Sequence, residues 1–229
     1  MIKAVLFDVD NTLVDFMKMK EEAVRAAVDY MIDAGLRMKR QEAYDKIFEI
    51  YWREGIEDQN IFDKFLMEVL GKVDYKILAA GIVGYRRAKE GALILYPHVY
   101  STLMELLKMG KKLAVVSDAP VLQVWTRLAQ TGLIHFFEVV VTFDDTGVRK
   151  PDPRPFKIAL ERLGTDPHEV VYIGDWAERD IVGAKQLGMH AVFAKYGDVF
   201  NTKNSGADFE VEDIYELVEI VRRLDSEGS

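Results

Sequence analysis

From Pro97 to the C-terminus the chain alternates short apolar runs with amphipathic stretches. No other feature of the sequence constrains the fold as much. Leu113 to Val116, Phe137 to Val141, Val170 to Ile173 and Ala191 to Ala194 read as strands, and Phe209 to Val211 as a last short one. Between them lie helical stripes. Pro97 opens one that carries Val99, Leu103, Leu106 and Leu107 and closes at Gly110. Others run from Val121 to Thr131, from Pro155 to Leu163 before Gly164, and from Ala177 to Leu187 before Gly188. Ile214, Leu217, Val218, Val221 and Leu224 mark a terminal amphipathic helix, with Asp225 to Ser229 expected to fray. Continuous apolar strands alternating with helices predict a parallel sheet covered on both faces.

The N-terminus supplies one more strand. Ile2, Val5, Leu6 and Phe7 form a short apolar run that stops at Asp8. Residues 16–92 then read as helix only. Val24, Ala27, Val28, Met31 and Ile32 follow the helical period and end at Gly35. Ala43, Ile47, Ile50 and Tyr51 form a second stripe. Ile61, Phe65, Leu66, Val69 and Leu70 form a third, and Ile77, Leu78, Ile82 and Tyr85 a fourth. Four short amphipathic helices with short connections predict a small bundle. The expected fold class is therefore α/β: a Rossmann-like parallel sheet with helices on both faces, plus an inserted helical bundle. Residues 1–15 and 93–229 form the core domain and 16–92 the insertion.

Composition narrows the chemistry. The 229 residues include 38 acidic and 30 basic side chains, a formal net charge of −8. Without a basic excess the chain is a poor partner for nucleic acid or an anionic membrane surface. Cysteine is absent, which excludes disulfides, thiolate nucleophiles and cysteine-held metals. The apolar N-terminal run is too short for a signal peptide, and no apolar run reaches the ~18 residues of a membrane span. A cytoplasmic, soluble protein is expected. Only 4 Asn and 5 Gln accompany the missing cysteine, which fits a heat-adapted source, although 9 Met argue the other way.

In a parallel sheet of this kind ligands sit beyond the carboxyl ends of the strands. The first strand runs into Asp8-Val9-Asp10-Asn11-Thr12, and the second into Ser117-Asp118. A loop after the third holds Lys150-Pro151. The fourth ends in Gly174-Asp175, with Asp180 five residues on. Taken singly, each of these residues is more simply a cap, a turn or a solvated loop residue. Their conjunction at successive strand ends is what those readings leave unexplained. Asp8, Asp10 and Asp175 could converge only if a cation offset their repulsion. With no cysteine and no clustered histidine, an oxygen-preferring ion such as magnesium fits best. With Lys150 and the Ser117 hydroxyl it would hold an anionic tetrahedral group. One carboxylate could then attack and another shuttle a proton.

These four motifs, Asp-x-Asp-x-Thr, Ser, Lys-Pro and Gly-Asp-x-x-x-x-Asp, resemble those of the haloacid dehalogenase superfamily in its phosphatase branch. The resemblance spans almost the whole chain. The helical insertion just after the first motif is similar to the cap of the phosphoglycolate-phosphatase-like subgroup. The resemblance implies Asp8 as nucleophile and Asp10 as acid and base. It implies Mg2+ held by Asp8, Asp175 and the Asp10 backbone carbonyl. Ser117 and Lys150 would bind the phosphoryl group. Thr12 would fix the loop, and Asp180 would orient a metal-bound water or Lys150. Two positions depart from the common pattern. Asp118 is expected to cap the next helix rather than tune phosphoryl binding. Trp176 either walls the pocket or packs on the sheet.

The implied function is a magnesium-dependent phosphatase acting on a small phosphorylated metabolite, with glyceraldehyde 3-phosphate, another triose phosphate or phosphoglycolate as candidates. A sugar-phosphate mutase of the same fold uses the same core residues and is the alternative. A catalytically silent binding module is disfavoured by the intact motif set. Dehalogenases proper lack the acid/base Asp and the metal. Response-regulator receivers place an acidic pair ahead of the phosphorylated Asp and lack a large insertion. His98, His135, His168 and His190 are scattered without ligand spacing. Gly81 and Gly84 are expected to serve close helix packing. Lys18, Lys20, Arg86 and Arg87 flank the hinges near Phe16 and Gly91, about which the cap is expected to open and close; they could close over an anionic substrate, but solvated side chains are the simpler expectation. Tyr51 and Trp52 could line a cap pocket or the core, and Tyr44 and Trp52 could also serve a homodimer or the bundle core.

Overall fold

The first strand, β1 (Ala4–Phe7), is four apolar residues, all of them buried, as a strand covered on both faces requires. The structure, a computed structural model, describes residues 1–227. Gly228 and Ser229, the end of the segment expected to fray, lie outside the described residues. The chain divides into two compact units, one of Met1–Asp15 with Ile94 onward and one of Phe16–Leu93.

The second unit is all helix: α1 (Phe16–Asp33), α2 (Arg40–Glu54), α3 (Ile61–Leu70) and α4 (Tyr75–Ala92). Its core joins the four sequence stripes through Val28, Met31, Ile47, Tyr51, Phe65, Leu66 and Ile77. α1 and α4 pack most closely. A Cβ on Gly81 would collide with Met31, and one on Gly84 with the Ala26 carbonyl and the Tyr30 ring. These two glycines thus let the helix backbones approach. Tyr51 is buried, Tyr44 is half-buried beside Phe48, and Trp52 stays exposed. Lys20 corrects an expectation. It is buried rather than solvated, its ammonium 4.3 Å from the Tyr51 ring centre and within 6 Å of the Phe16 and Tyr85 rings. The aromatic faces offset part of its desolvation.

The first unit follows the alternation. Its elements are α5 (Val99–Lys108), β2 (Lys112–Val116), α6 (Val121–Gln130), β3 (Val139–Val141), α7 (Phe143–Thr146) and α8 (Pro153–Leu163). Then come β4 (Val170–Gly174), α9 (Val182–Gln186), β5 (His190–Ala194), β6 (Phe209–Val211) and α10 (Glu216–Glu227). The six strands pair in parallel in the order β3-β2-β1-β4-β5-β6. Ala4, Leu6, Ala114, Val116, Tyr172 and Phe193 form one face, against Phe156, Ala159 and Leu163 of α8.

Several predicted boundaries move for local reasons. Pro97 does not open α5, because His98 adopts a left-handed φ of 62° and the helix starts at Val99. β3 begins at Val139, and Phe137 ahead of it meets Phe7 edge-on. The helix predicted over Ala177–Leu187 opens as a wider π turn over Ala177–Ile181 before α9. Asp225 is anchored rather than frayed: its carboxylate accepts from the Ile2 N–H at 2.7 Å and from the buried Lys111 ammonium at 2.6 Å.

Candidate active site

Strand order places the site. β1 lies between β2 and β4, with Phe7 in register with Val115 and Ile173. Asp8 follows at the centre, level with Val116 and Gly174, and Ser117 and Asp175 stand one residue further out, just past the ends of β2 and β4 on either side. This is where the strand order of a doubly wound sheet reverses and where such folds bind ligands.

The loop after β1 is tightly built. Leu13 and Val14 donate to the Val9 carbonyl, and Asn11 takes a left-handed φ of 57°. The Tyr196 hydroxyl donates to the Thr12 carbonyl at 2.7 Å, and Gly197 lies so close to the Asn11 carbonyl that no side chain would fit there. Thr12 is fully buried, and its hydroxyl donates to Asp175 Oδ1 at 3.2 Å. It links the first motif to the fourth.

Lys150 is the hub. Its loop is held by Asp118, which accepts the Lys150 N–H at 2.9 Å and pairs with Arg179 at 3.2 Å. This corrects the capping role expected of Asp118, since α6 is preceded by Pro120 and its first N–H, that of Val121, donates to the Asp144 carboxylate at 2.7 Å. The Lys150 ammonium donates to Asp8 Oδ1 at 2.8 Å, to Asp180 Oδ1 at 2.6 Å and to the Tyr172 hydroxyl at 2.9 Å. The Val116 carbonyl accepts from it at 3.1 Å. Asp180 Oδ1 also accepts from Tyr172 at 2.7 Å, and Oδ2 accepts the Trp176 N–H at 3.0 Å. Both Asp180 oxygens are therefore engaged by the protein. A Cβ on Gly174 would strike the Asp180 carboxylate, so the glycine of Gly-Asp admits Asp180 beside the strand end. Trp176 stacks with Arg179 at 3.7 Å and with Phe200 at 4.6 Å, at the rim rather than against the sheet core.

The electrostatics show a deficit of positive charge. Burial first, and then the neighbouring Asp180 and Asp10, push the Asp8 carboxyl up to about 7 against the pull of Lys150. Burial likewise drives Asp175 well above the usual carboxylate range, reinforced by Asp8 and Asp180. Burial alone would lower Lys150, but Asp180 and Asp8 more than offset it and hold it charged. One oxygen each from Asp8, Asp175 and Asp180 lies within 4.8 Å of the others, all three residues buried. An all-oxygen donor set that resists ionisation for want of positive charge fits a hard divalent cation. Ser117 is buried at the end of β2, and its oxygen accepts the Ala119 N–H at 3.2 Å, leaving its proton to donate.

Asp10 stands apart from this hub. Its Oδ2 lies 2.9 Å from Arg127 Nη1. Neither Arg127 nor Tyr172 stands out as a site residue in the sequence, yet each carries a signal. Arg127 is a charge on the apolar stripe of α6 between Val124 and Leu128, and Tyr172 is the lone hydroxyl in an apolar strand.

A family model described as haloacid dehalogenase-like hydrolase matches residues 2–188, and the chain belongs to that family. It is 40% identical over 227 residues to a glyceraldehyde 3-phosphate phosphatase of Methanocaldococcus jannaschii, covering 98% of this chain and 99% of the relative. A protein of the same name from Methanopyrus kandleri is 40% identical over 230 residues, with the same coverage. Among solved structures, a HAD phosphatase from Thermococcus onnurineus superposes with a TM-score of 0.69 at 30% identity, covering 96% of this chain and 98% of that one.

Proposed function

We propose that this chain is a magnesium-dependent phosphatase that cleaves a small phosphorylated metabolite through an aspartyl-phosphate on Asp8, with glyceraldehyde 3-phosphate as first candidate. The observation that carries the reading is the Asp8 carboxylate at the sheet's switch point, 2.8 Å from the Lys150 ammonium and flanked by Asp175 and Ser117. The names of the full-length relatives support the substrate. The helical unit would serve as the cap, and the setting would be cytoplasmic.

Asp8 attacks phosphorus with one carboxylate oxygen, forming an O–P bond as the bond to the substrate oxygen breaks. Asp10 donates a proton to the departing oxygen. Asp10 then takes a proton from water as that water attacks phosphorus, the O–P bond to Asp8 breaks, and inorganic phosphate leaves. Ser117 and Lys150 hold the phosphoryl oxygens, and Lys150 remains charged throughout because Asp180 and Tyr172 fix its ammonium. Asp8, Asp175 and the Asp10 backbone carbonyl would hold Mg2+, which when bound supplies the positive charge these carboxylates lack. Catalysis is then mainly positioning and charge neutralisation.

A panel of phosphorylated metabolites compared by kcat/KM, with Mg2+ and with EDTA, tests this. Metal-dependent phosphate release, greatest for a triose phosphate, is expected. No phosphate release from any member would overturn the phosphatase reading, and transfer of phosphate within a sugar without release would identify a mutase.

A further inference from the structure

The helix α6 follows the strand that delivers Ser117, and its inward face carries one charge. Arg127 is 4% exposed, between the buried Val124 and Leu128. An arginine is left at such a position only where a partner offsets its desolvation. Its guanidinium reaches across to the first motif and pairs with Asp10 Oδ2 at 2.9 Å. Asp10 is more exposed than its neighbours, with 22% of its side chain accessible. Its backbone is fixed by pairing with Val14, but its carboxylate lies outside the Lys150 network that locks Asp8 and Asp180.

We propose that Arg127 is a positioning residue that fixes where the Asp10 carboxylate stands, and so controls proton delivery to the leaving oxygen. The proposal rests on the role given to Asp10 above. The contact is an ion pair, so the guanidinium holds the carboxylate through charge and proximity. Asp8 has its own cation in Lys150, so loss of Arg127 leaves the nucleophile's partner in place. The defect should therefore depend on how much the leaving group needs a proton. An alkyl phosphate must expel an alkoxide and needs the acid. p-Nitrophenyl phosphate expels a stable phenolate and needs it far less.

The test is the ratio of kcat/KM for a triose phosphate to that for p-nitrophenyl phosphate, measured for the wild type, Arg127→Gln and Arg127→Lys with Mg2+. Misfolding lowers both numbers together and leaves the ratio unmoved, and two variants guard against loss of one to aggregation. The ratio is expected to fall about tenfold or more in Arg127→Gln and by less in Arg127→Lys, a part of the ~10²–10⁴-fold that general acids contribute. An unchanged ratio in the variants beside an active wild type would overturn the role of Arg127 alone. A wild type inactive on both substrates would instead overturn the phosphatase reading.

Discussion

The Asp8 carboxyl is where folding and chemistry conflict. Burying it at the sheet's centre raises it to about 7, while the attack on phosphorus proposed for it needs it ionised. Asp8→Asn keeps the shape and removes the proposed nucleophile. Turnover is expected to fall at least about a thousandfold with an unchanged circular dichroism spectrum. Substantial residual activity would place the nucleophile elsewhere. The same shift has a thermodynamic consequence. The folded chain holds this proton more tightly than the unfolded chain, whose carboxyl titrates near 3.8. The stability it contributes is present below the unfolded value and is lost as pH rises through about 7. Asp175 is shifted in the same direction. After EDTA treatment the protein is expected to melt at a lower temperature at about pH 8 than at about pH 5.5, with Mg2+ narrowing the difference. A melting temperature that rises with pH across that interval would contradict the assigned burial.

At the scale of elements, what could be read from the sequence was periodicity and what could not was geometry at the joints. The alternation identifies the strands of the sheet, and the stripes identify α1 to α4, because burial patterns are local. The π turn over Ala177–Ile181 has no periodic signature. It exists because Asp180 must reach back past Gly174 to Lys150. The partners of Asp118 lie 32 and 61 residues away, so no local rule could tell its tether to Lys150 and Arg179 from a helix cap. Lys20 shows the converse: a lysine near a hinge reads as solvated until the fold closes three rings around it. The motif residues Asp8, Ser117, Lys150 and Asp175 were visible as strand-end and loop residues, whereas Arg127 and Tyr172 show only as polar exceptions in apolar elements. The helix pair α1 and α4 offers a test at this scale. Gly84→Val forces side-chain atoms against the Ala26 carbonyl and the Tyr30 ring. Urea denaturation is expected to show a loss of about 1–3 kcal/mol, the usual cost of overpacking. A neutral result would mean that the helices can separate at no cost.

Over the whole molecule, the acidic balance of the chain says less than the place of a few acids. A net charge of −8 would be compatible with binding phosphate if, as proposed, Lys150 and a cation offset the carboxylates gathered at one end of the sheet. No helix among the described residues is long and apolar enough to cross a membrane. The chain aligns with its phosphatase relatives almost end to end. Passage of the phosphoryl group through Asp8 is the central claim, and the stereochemistry at phosphorus tests it whichever step is slow. With a triose phosphate made chiral by oxygen isotopes and turned over in isotopic water, two successive in-line displacements give phosphate with net retention of configuration. Retention is the result expected here. Inversion would show that water attacks the substrate directly and would contradict an aspartyl-phosphate on Asp8.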